Sequence, residues 1–247
     1  MESGRRPARG SGRGRPGSVP ARLLLGISLV ALAGCAANAV ERSIAARGGP
    51  LPVALRQVEA TVHQGFPGTW TWEIAQRRPD FVRWTIHTYG EEQSYVFDGR
   101  RVLLFLGSAS MPVTGDAARN FRTQARWLAV TGLDVLRDGN QVAWEEVPPA
   151  EVPAGAARGL RVRYLDDAST YLLWFDARDL LVAAEGEVAV PPIGAGRLHA
   201  DFSDFAATGG FTLPRAGRYT LGGAPLMEER ILAWTPNDPR VTEASFR

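Results

Sequence analysis

From residue 69 onward, apolar and polar positions alternate in short runs. Trp70, Trp72 and Ile74 interleave with Thr69, Thr71 and Glu73, and Val82, Trp84 and Ile86 interleave with Arg83, Thr85 and His87. A period of two predicts half-buried strands, because successive side chains point to opposite faces of a sheet. Tyr95 and Phe97 lead into Asp98-Gly99, a strong hairpin signal, and Val102 to Leu106 supplies the return strand. Strand patterns resume at Val142 and Trp144, at Leu160, Val162 and Tyr164, and at Tyr171, Leu173 and Phe175. Four more follow over 180–190, 197–207, 211–221 and 226–235, punctuated by Pro191-Pro192, Gly209-Gly210 and Gly222-Gly223. Helical spacing predicts one long helix from Ala117 to about Leu136, through Phe121, Ala125 and Leu128, with Asp116 able to cap it and Gly132 able to break it. Residues 36–48 read as a short helix, and 51–64 as a second one through Val53, Leu55, Val58 and Val62. Residues 107–116 read as a loop with an apolar tip, Met111-Pro112-Val113.

This order predicts a mainly β protein with few helices, of the α+β class. About eleven strands would form a curved antiparallel half-barrel, covered by one long and one or two short helices. One helix, about 10 Å wide, shields roughly two strands spaced about 4.8 Å apart. The greasy face of so wide a sheet must therefore either line a cavity suited to acyl chains or close on itself and fill with side chains. The aromatic supply, seven Trp, ten Phe and five Tyr, serves both outcomes. For the cavity, Trp72, Trp84, Ile86, Phe97, Leu104, Trp174 and Phe175 are the candidate lining residues.

Charge divides the chain. Residues 1–34 hold six arginines and one acid, whereas the rest holds 22 arginines against 25 acids. The mildly acidic remainder excludes a nucleic-acid footprint. The basic start is followed by the apolar run 23–34 and by Cys35, the sole cysteine. That run has the length of a signal-peptide core and is too short for a spanning helix. Leu32-Ala33-Gly34-Cys35 resembles the bacterial lipobox, whose cysteine receives a diacylglyceryl group before cleavage leaves it as the first residue. The expected organisation is a lipoprotein signal peptide over 1–34, a lipidated tether over 35–50 and a β half-barrel over 51–247. Alanine at position 36, where aspartate directs inner-membrane retention in enterobacterial lipoproteins, points to anchoring in the outer membrane, facing the periplasm.

Catalytic signatures are missing. Lysine does not occur, so neither a Schiff-base lysine nor a P-loop lysine is available. No nucleophile elbow or dinucleotide-binding loop is present, and His63, His87 and His199 lack metal-ligand spacing. Asp166-Asp167, Asp176 with Asp179, and Asp201 with Asp204 read as turn or edge residues. No catalytic residue, metal or cofactor is expected.

Four stretches carry a family resemblance: Arg83 to Leu106, Tyr171 to Val182, Phe202 to Pro214, and Asn237-Asp238-Pro239 to Phe246. In their order they resemble the lipoprotein-carrier superfamily of the LolA/LolB type, over most of 50–247. The resemblance implies an eleven-stranded half-closed barrel with a helical lid, holding a lipid or a lipidated protein. A lipid-anchored member resembles the outer-membrane receptor that accepts lipoproteins from a periplasmic carrier protein. In that receptor an apolar residue protrudes from a loop between early strands. Here the early turn, Asp98-Gly99-Arg100, is polar, and Met111 and Val113 are the nearest membrane-contact substitute. The expected function is binding of an acyl chain or lipidated protein by a monomeric, membrane-anchored lipoprotein, with lipoprotein localisation at the outer membrane as its implied purpose. The alternative is a non-catalytic scaffolding lipoprotein with a filled core and a protein partner.

Overall fold

The computed structural model describes residues 39–65, 68–78, 81–88, 91–190 and 193–247. The expected signal peptide and Cys35 lie outside these residues. A short helix, α1, covers 39–46. Six strands follow as a meander: β1 (Ala54–His63), β2 (Trp70–Arg77), β3 (Phe81–Thr88), β4 (Glu91–Asp98), β5 (Val102–Leu106) and β6 (Ala109–Val113). The main helix α2 (Gly115–Thr131) then leads to β7 (Val142–Glu146). The second half is β8 (Arg158–Tyr164), β9 (Thr170–Phe175), β10 (Leu181–Val190), β11 (Gly194–Ser203), β14 (Ala216–Leu221) and β15 (Ala224–Pro236). A small side hairpin, β12 (Ala206–Thr208) with β13 (Phe211–Leu213), interrupts it.

Thirteen strands pair in the order β6-β5-β4-β3-β2-β1-β15-β14-β11-β10-β9-β8-β7. Every recorded pairing is antiparallel, and β1 and β15 join the two meanders at the centre. The sheet stays open, with β6 and β7 as its two edges, and α2 is the connection that carries the chain from one edge to the other. Side-chain periodicity explains the helix position. Phe121, Ala125, Trp127 and Val130 are its buried residues, and Phe121 stacks on Tyr95 of β4 at a ring separation of 4.3 Å. On the opposite half, Gln124 donates to the Ala189 carbonyl at 3.0 Å and Ala189 N–H donates to Thr123 at 3.1 Å. The helix therefore straddles the concave face.

Two segments differ from the sequence-based expectation and account for the additional strands. Residues 51–64 are not helical but contain β1, which pairs with β15 at the middle of the sheet. Their apolar residues fall at helical spacing because the strand's inward positions are Leu55, Gln57, Glu59 and Thr61, three of them polar yet buried. Residues 107–116 are not a loop but contain β6, an edge strand whose Met111 lies opposite Leu104. Pro112 is tolerated there because an edge strand has one unpaired side. The main helix ends at Thr131, short of the expected Leu136, with Gly132, the residue able to break it, as its cap; a 3-10 turn over Asp134–Arg137 follows. Thr114 rather than Asp116 occupies the N-cap position.

The core splits by face. Tyr171, Leu173 and Phe175 join Trp127, Val130, Leu160 and Val162 in the main cluster, together with Ala39, Val40 and Ile44 of α1. Trp84, Phe97, Val102 and Phe121 form a second cluster under the N-terminal part of α2. The C-terminal turn covers part of the other side of the sheet, burying Phe246 with Ala75 and Val96. Close strand–strand packing needs small residues in places: a Cβ on Gly186 would sit 2.3 Å from the ring of Tyr171, its cross-strand partner.

Candidate ligand-binding site

The concave face of the sheet encloses a cavity of about 620 Å³. Its wall is built by alternation. From β1 come Leu55, Gln57, Glu59, Thr61 and His63; from β2 come Trp70, Trp72, Ile74 and Gln76. Trp84 and Ile86 of β3, Tyr95 of β4, and Phe121, Trp127 and Leu128 of α2 continue it. Two bulges shape the floor. Near Val58 and Glu59 of β1, the register of β15 skips Leu232, so Ile231 and Trp234 both reach the cavity although they are an odd number of residues apart. A second skip opposite Tyr219 and Thr220 turns Leu226 inward beside Met227. Five of the seven tryptophans line this space (Trp70, Trp72, Trp84, Trp127 and Trp234), so the aromatic surplus furnishes a hollow rather than a filled core.

Of the residues expected to line it, Trp72, Trp84 and Ile86 do so. Phe97 packs beside Trp84 and Phe121 in the cluster under α2, outside the cavity wall. Leu104 is half-buried on β5 opposite Tyr95, also outside it. Phe175 is fully buried in the main core beneath the guanidinium of Arg158. Trp174 is a correction: adjacent strand residues face opposite ways, and it packs with Val147 and Ala183 in a separate cluster on the far side of the sheet. Met111 is exposed and Val113 half-buried on β6.

Sequence reasoning missed the polar part of the wall. Gln57, Glu59, Tyr219 and Glu229 form one buried network. Gln57 donates to Glu59 and, at 3.1 Å, to Glu229, while the Tyr219 hydroxyl donates to the other oxygen of Glu229. Burial drives the Glu59 carboxyl well above the ordinary carboxylate range, and the neighbouring Glu229 drives it further. Burial likewise raises Glu229 and, with the Glu229 charge beside it, Tyr219. A buried carboxyl pair without a cation keeps a proton, because two bare charges in an apolar wall are too costly. Nearby, the Trp72 indole donates to Thr61 at 3.1 Å, and Thr61 contacts His63 at the same distance. The only sequence signal for this network was the two-residue spacing of Gln57, Glu59 and Thr61, which becomes visible once β1 is known to be a strand.

The raised carboxyl pKa values predict a pH dependence. A group with a folded pKa above its unfolded value stabilises the fold fully below the unfolded pKa. That contribution is lost as pH rises through the folded value, at up to about 1.4 kcal/mol per pH unit for one proton. Glu59→Gln is expected to flatten this loss. Urea midpoints measured from pH 5 to 9 check it; a variant with an unchanged slope would show that the pair is not the source.

Solved structures provide the comparison. A LolA superfamily protein from Nitrosomonas europaea superposes with a TM-score of 0.59 at 13% identity, covering 86% of this chain and 97% of that one. A DUF1329 family protein from Desulfovibrio piger gives 0.56 at 9% identity, covering 86% and 99%. The fold is LolA-like. A domain from Vibrio parahaemolyticus assigned to outer membrane lipoprotein sorting matches the same LolA-like architecture at 0.51 and 9% identity, covering 87% of this chain and 97% of that domain. No protein-family model matches the sequence, and comparison with curated proteins finds no match. Among the described residues of this LolA-like chain, no helix is long and apolar enough to cross a membrane. No group of three or more His, Cys, Asp or Glu among them is arranged to hold a metal.

Proposed function

We propose that this protein is a non-catalytic lipoprotein of the bacterial cell envelope that holds a lipid acyl chain, or the acyl chains of a lipidated protein, inside its LolA-like half-barrel. The observation that carries this is the tryptophan-lined cavity of about 620 Å³ on the concave face. That volume lies within the range of small-molecule sites, and burying a chain there yields about 25 cal/mol per Å² of apolar surface. The fold shared with a LolA superfamily protein and a lipoprotein-sorting domain supports the same reading. In this proposal Cys35 carries the membrane anchor in the outer membrane, facing the periplasm. The exposed Leu106 and Met111 of the β5–β6 hairpin touch the bilayer during transfer from a periplasmic carrier. The open cavity favours this over a scaffolding protein with a filled core.

Extraction and mass spectrometry of co-purified lipid test the proposal. Protein expressed with Trp84→Glu is expected to retain at least tenfold less acyl lipid, because a carboxylate would enter the apolar wall between Phe121 and Ile86. Equal lipid content in wild type and variant, or lipid-free wild type, would end it.

A further inference from the structure

Beyond the apolar wall, the cavity has one cationic corner. Arg47 follows α1, Arg78 follows β2, and both line the cavity near the end of α2 with Gly132 and Leu133. Asp134 sits between them. Each guanidinium nitrogen of Arg47 has a partner: it donates to the carbonyls of Gly49 at 3.0 Å and Gly132 at 2.6 Å, and to Asp134 Oδ1 at 3.0 Å. The second oxygen of Asp134 already accepts from Leu51 N–H at 3.2 Å. Arg78 is left with that same oxygen at 3.3 Å as an ion pair, and its Nη1 makes no hydrogen bond. Only 12% of the Arg78 side chain is exposed. Two guanidinium groups thus share one carboxylate, a net charge of one positive unit. Burial lowers the pKa of both arginines, and the charge of Arg78 adds to the lowering at Arg47. Besides Asp134, the titratable neighbour of Arg78 is Tyr164.

The position is built rather than incidental. A Cβ at Gly132 would lie 2.5 Å from Arg78 Nη2, 2.7 Å from Nη1 and 2.9 Å from the Leu128 carbonyl, so the guanidinium in its present place packs directly on the bare glycine at the end of α2. Arg78 N–H donates to the Val53 carbonyl, which places this corner six residues along β1 from the Glu59 network. At about 3.3 Å per residue that is roughly 20 Å, the scale of a long acyl chain. The cationic corner and the acidic wall therefore occupy well-separated parts of the sheet.

We infer that the Arg78 corner is a subsite for the anionic end of an amphiphile, a carboxylate or a phosphate monoester, with the hydrocarbon tail lying among the cavity tryptophans. This rests on the proposed lipid-binding function and names the ligand class more narrowly. An anionic oxygen that meets the Arg78 guanidinium from the cavity balances the excess positive charge of the corner, and arginine hydrogen bonds to such groups are among the strong ones.

The test titrates the full-length protein with palmitate, hexadecyl phosphate and hexadecanol, read by tryptophan fluorescence. These probes share a tail and differ only at the end group. The expected result is at least tenfold tighter binding of one or both anions than of the alcohol. The stronger of the two anions identifies carboxylate or phosphate as the source. Arg78→Gln is expected to remove that preference while leaving hexadecanol affinity within twofold, which also shows that the variant folds. Arg78→Lys is expected to restore part of it. Equal binding of all three probes by wild type, or a loss in Arg78→Gln that is the same for the alcohol, would overturn the subsite and leave the lipid-binding proposal standing. Failure of all three to bind would overturn both.

Discussion

Replacing Asp134 with alanine is expected to lower stability by about 3–5 kcal/mol, the usual consequence of stripping the partner from a buried charge. Asp134 faces two guanidinium groups, Arg47 at 3.0 Å and Arg78 at 3.3 Å, and accepts from the Leu51 backbone. The side chains of both arginines are largely withdrawn from water, so hydration replaces the lost carboxylate only in part. Asp134→Ala therefore leaves two like charges together, where the intact site holds a balance of one. A fall in the urea midpoint at constant slope measures the effect. Adding Arg78→Gln to Asp134→Ala is expected to return part of the loss, because one of the stranded charges disappears. If Asp134→Ala costs less than about 1 kcal/mol, the level of an exposed ion pair, the cluster is solvated and this account of it is wrong.

Phe121→Ala is expected to cost about 3 kcal/mol, near the lower end for deleting a buried aromatic ring because part of the ring already borders the cavity. The ring stacks on Tyr95 and lies 5.8 Å from the Trp84 ring, so it fastens α2 to the first half of the sheet. The hydrogen bond from Gln124 to the Ala189 carbonyl and the one from Ala189 N–H to Thr123 fasten the same helix to the second half. With the ring gone, α2 keeps the second attachment and only the smaller contacts of Ala118, Ala125 and Leu128 with the first half, and the cavity widens at Trp84. Hydrogen exchange is the discriminating readout. Amides of α2 are expected to exchange faster in Phe121→Ala, while those of β9 and β10 change little; uniform acceleration would mean that the helix is not an independently opening cover.

The mainly β character, the antiparallel order, the Asp98-Gly99 hairpin and the main helix were legible in the chain, although the helix stops at Thr131 and not near Leu136. Period-two and helical patterns are local, and local chemistry determines them. The lining residues were legible only in part. Trp72, Trp84 and Ile86 could be found because they alternate on strands that obey the simple rule of apolar residues inward. Trp174 and Phe175 show where that rule stops: neighbours in a strand face opposite sides, and composition cannot say which side holds the hollow.

What only the tertiary structure decided is the polar half of the cavity and the strand that carries it. β1 hides Gln57, Glu59 and Thr61 inside, so its sequence imitates a short amphipathic helix. Pairing with β2 and β15 overrides that local preference, because each pairing satisfies a full row of backbone groups and joins the two meanders. Glu59 meets Glu229 across 170 residues of chain, and Arg78 meets Asp134 across 56. No sequence period connects such positions; the β1–β15 pairing brings the first pair together, and the passage of α2 across the sheet brings the second. The sequence by itself determined a wide greasy sheet with too little helix to cover it. The register and bulges of the folded sheet decided that the uncovered face is a hollow, with a buried carboxyl pair in one part and an under-compensated arginine in another.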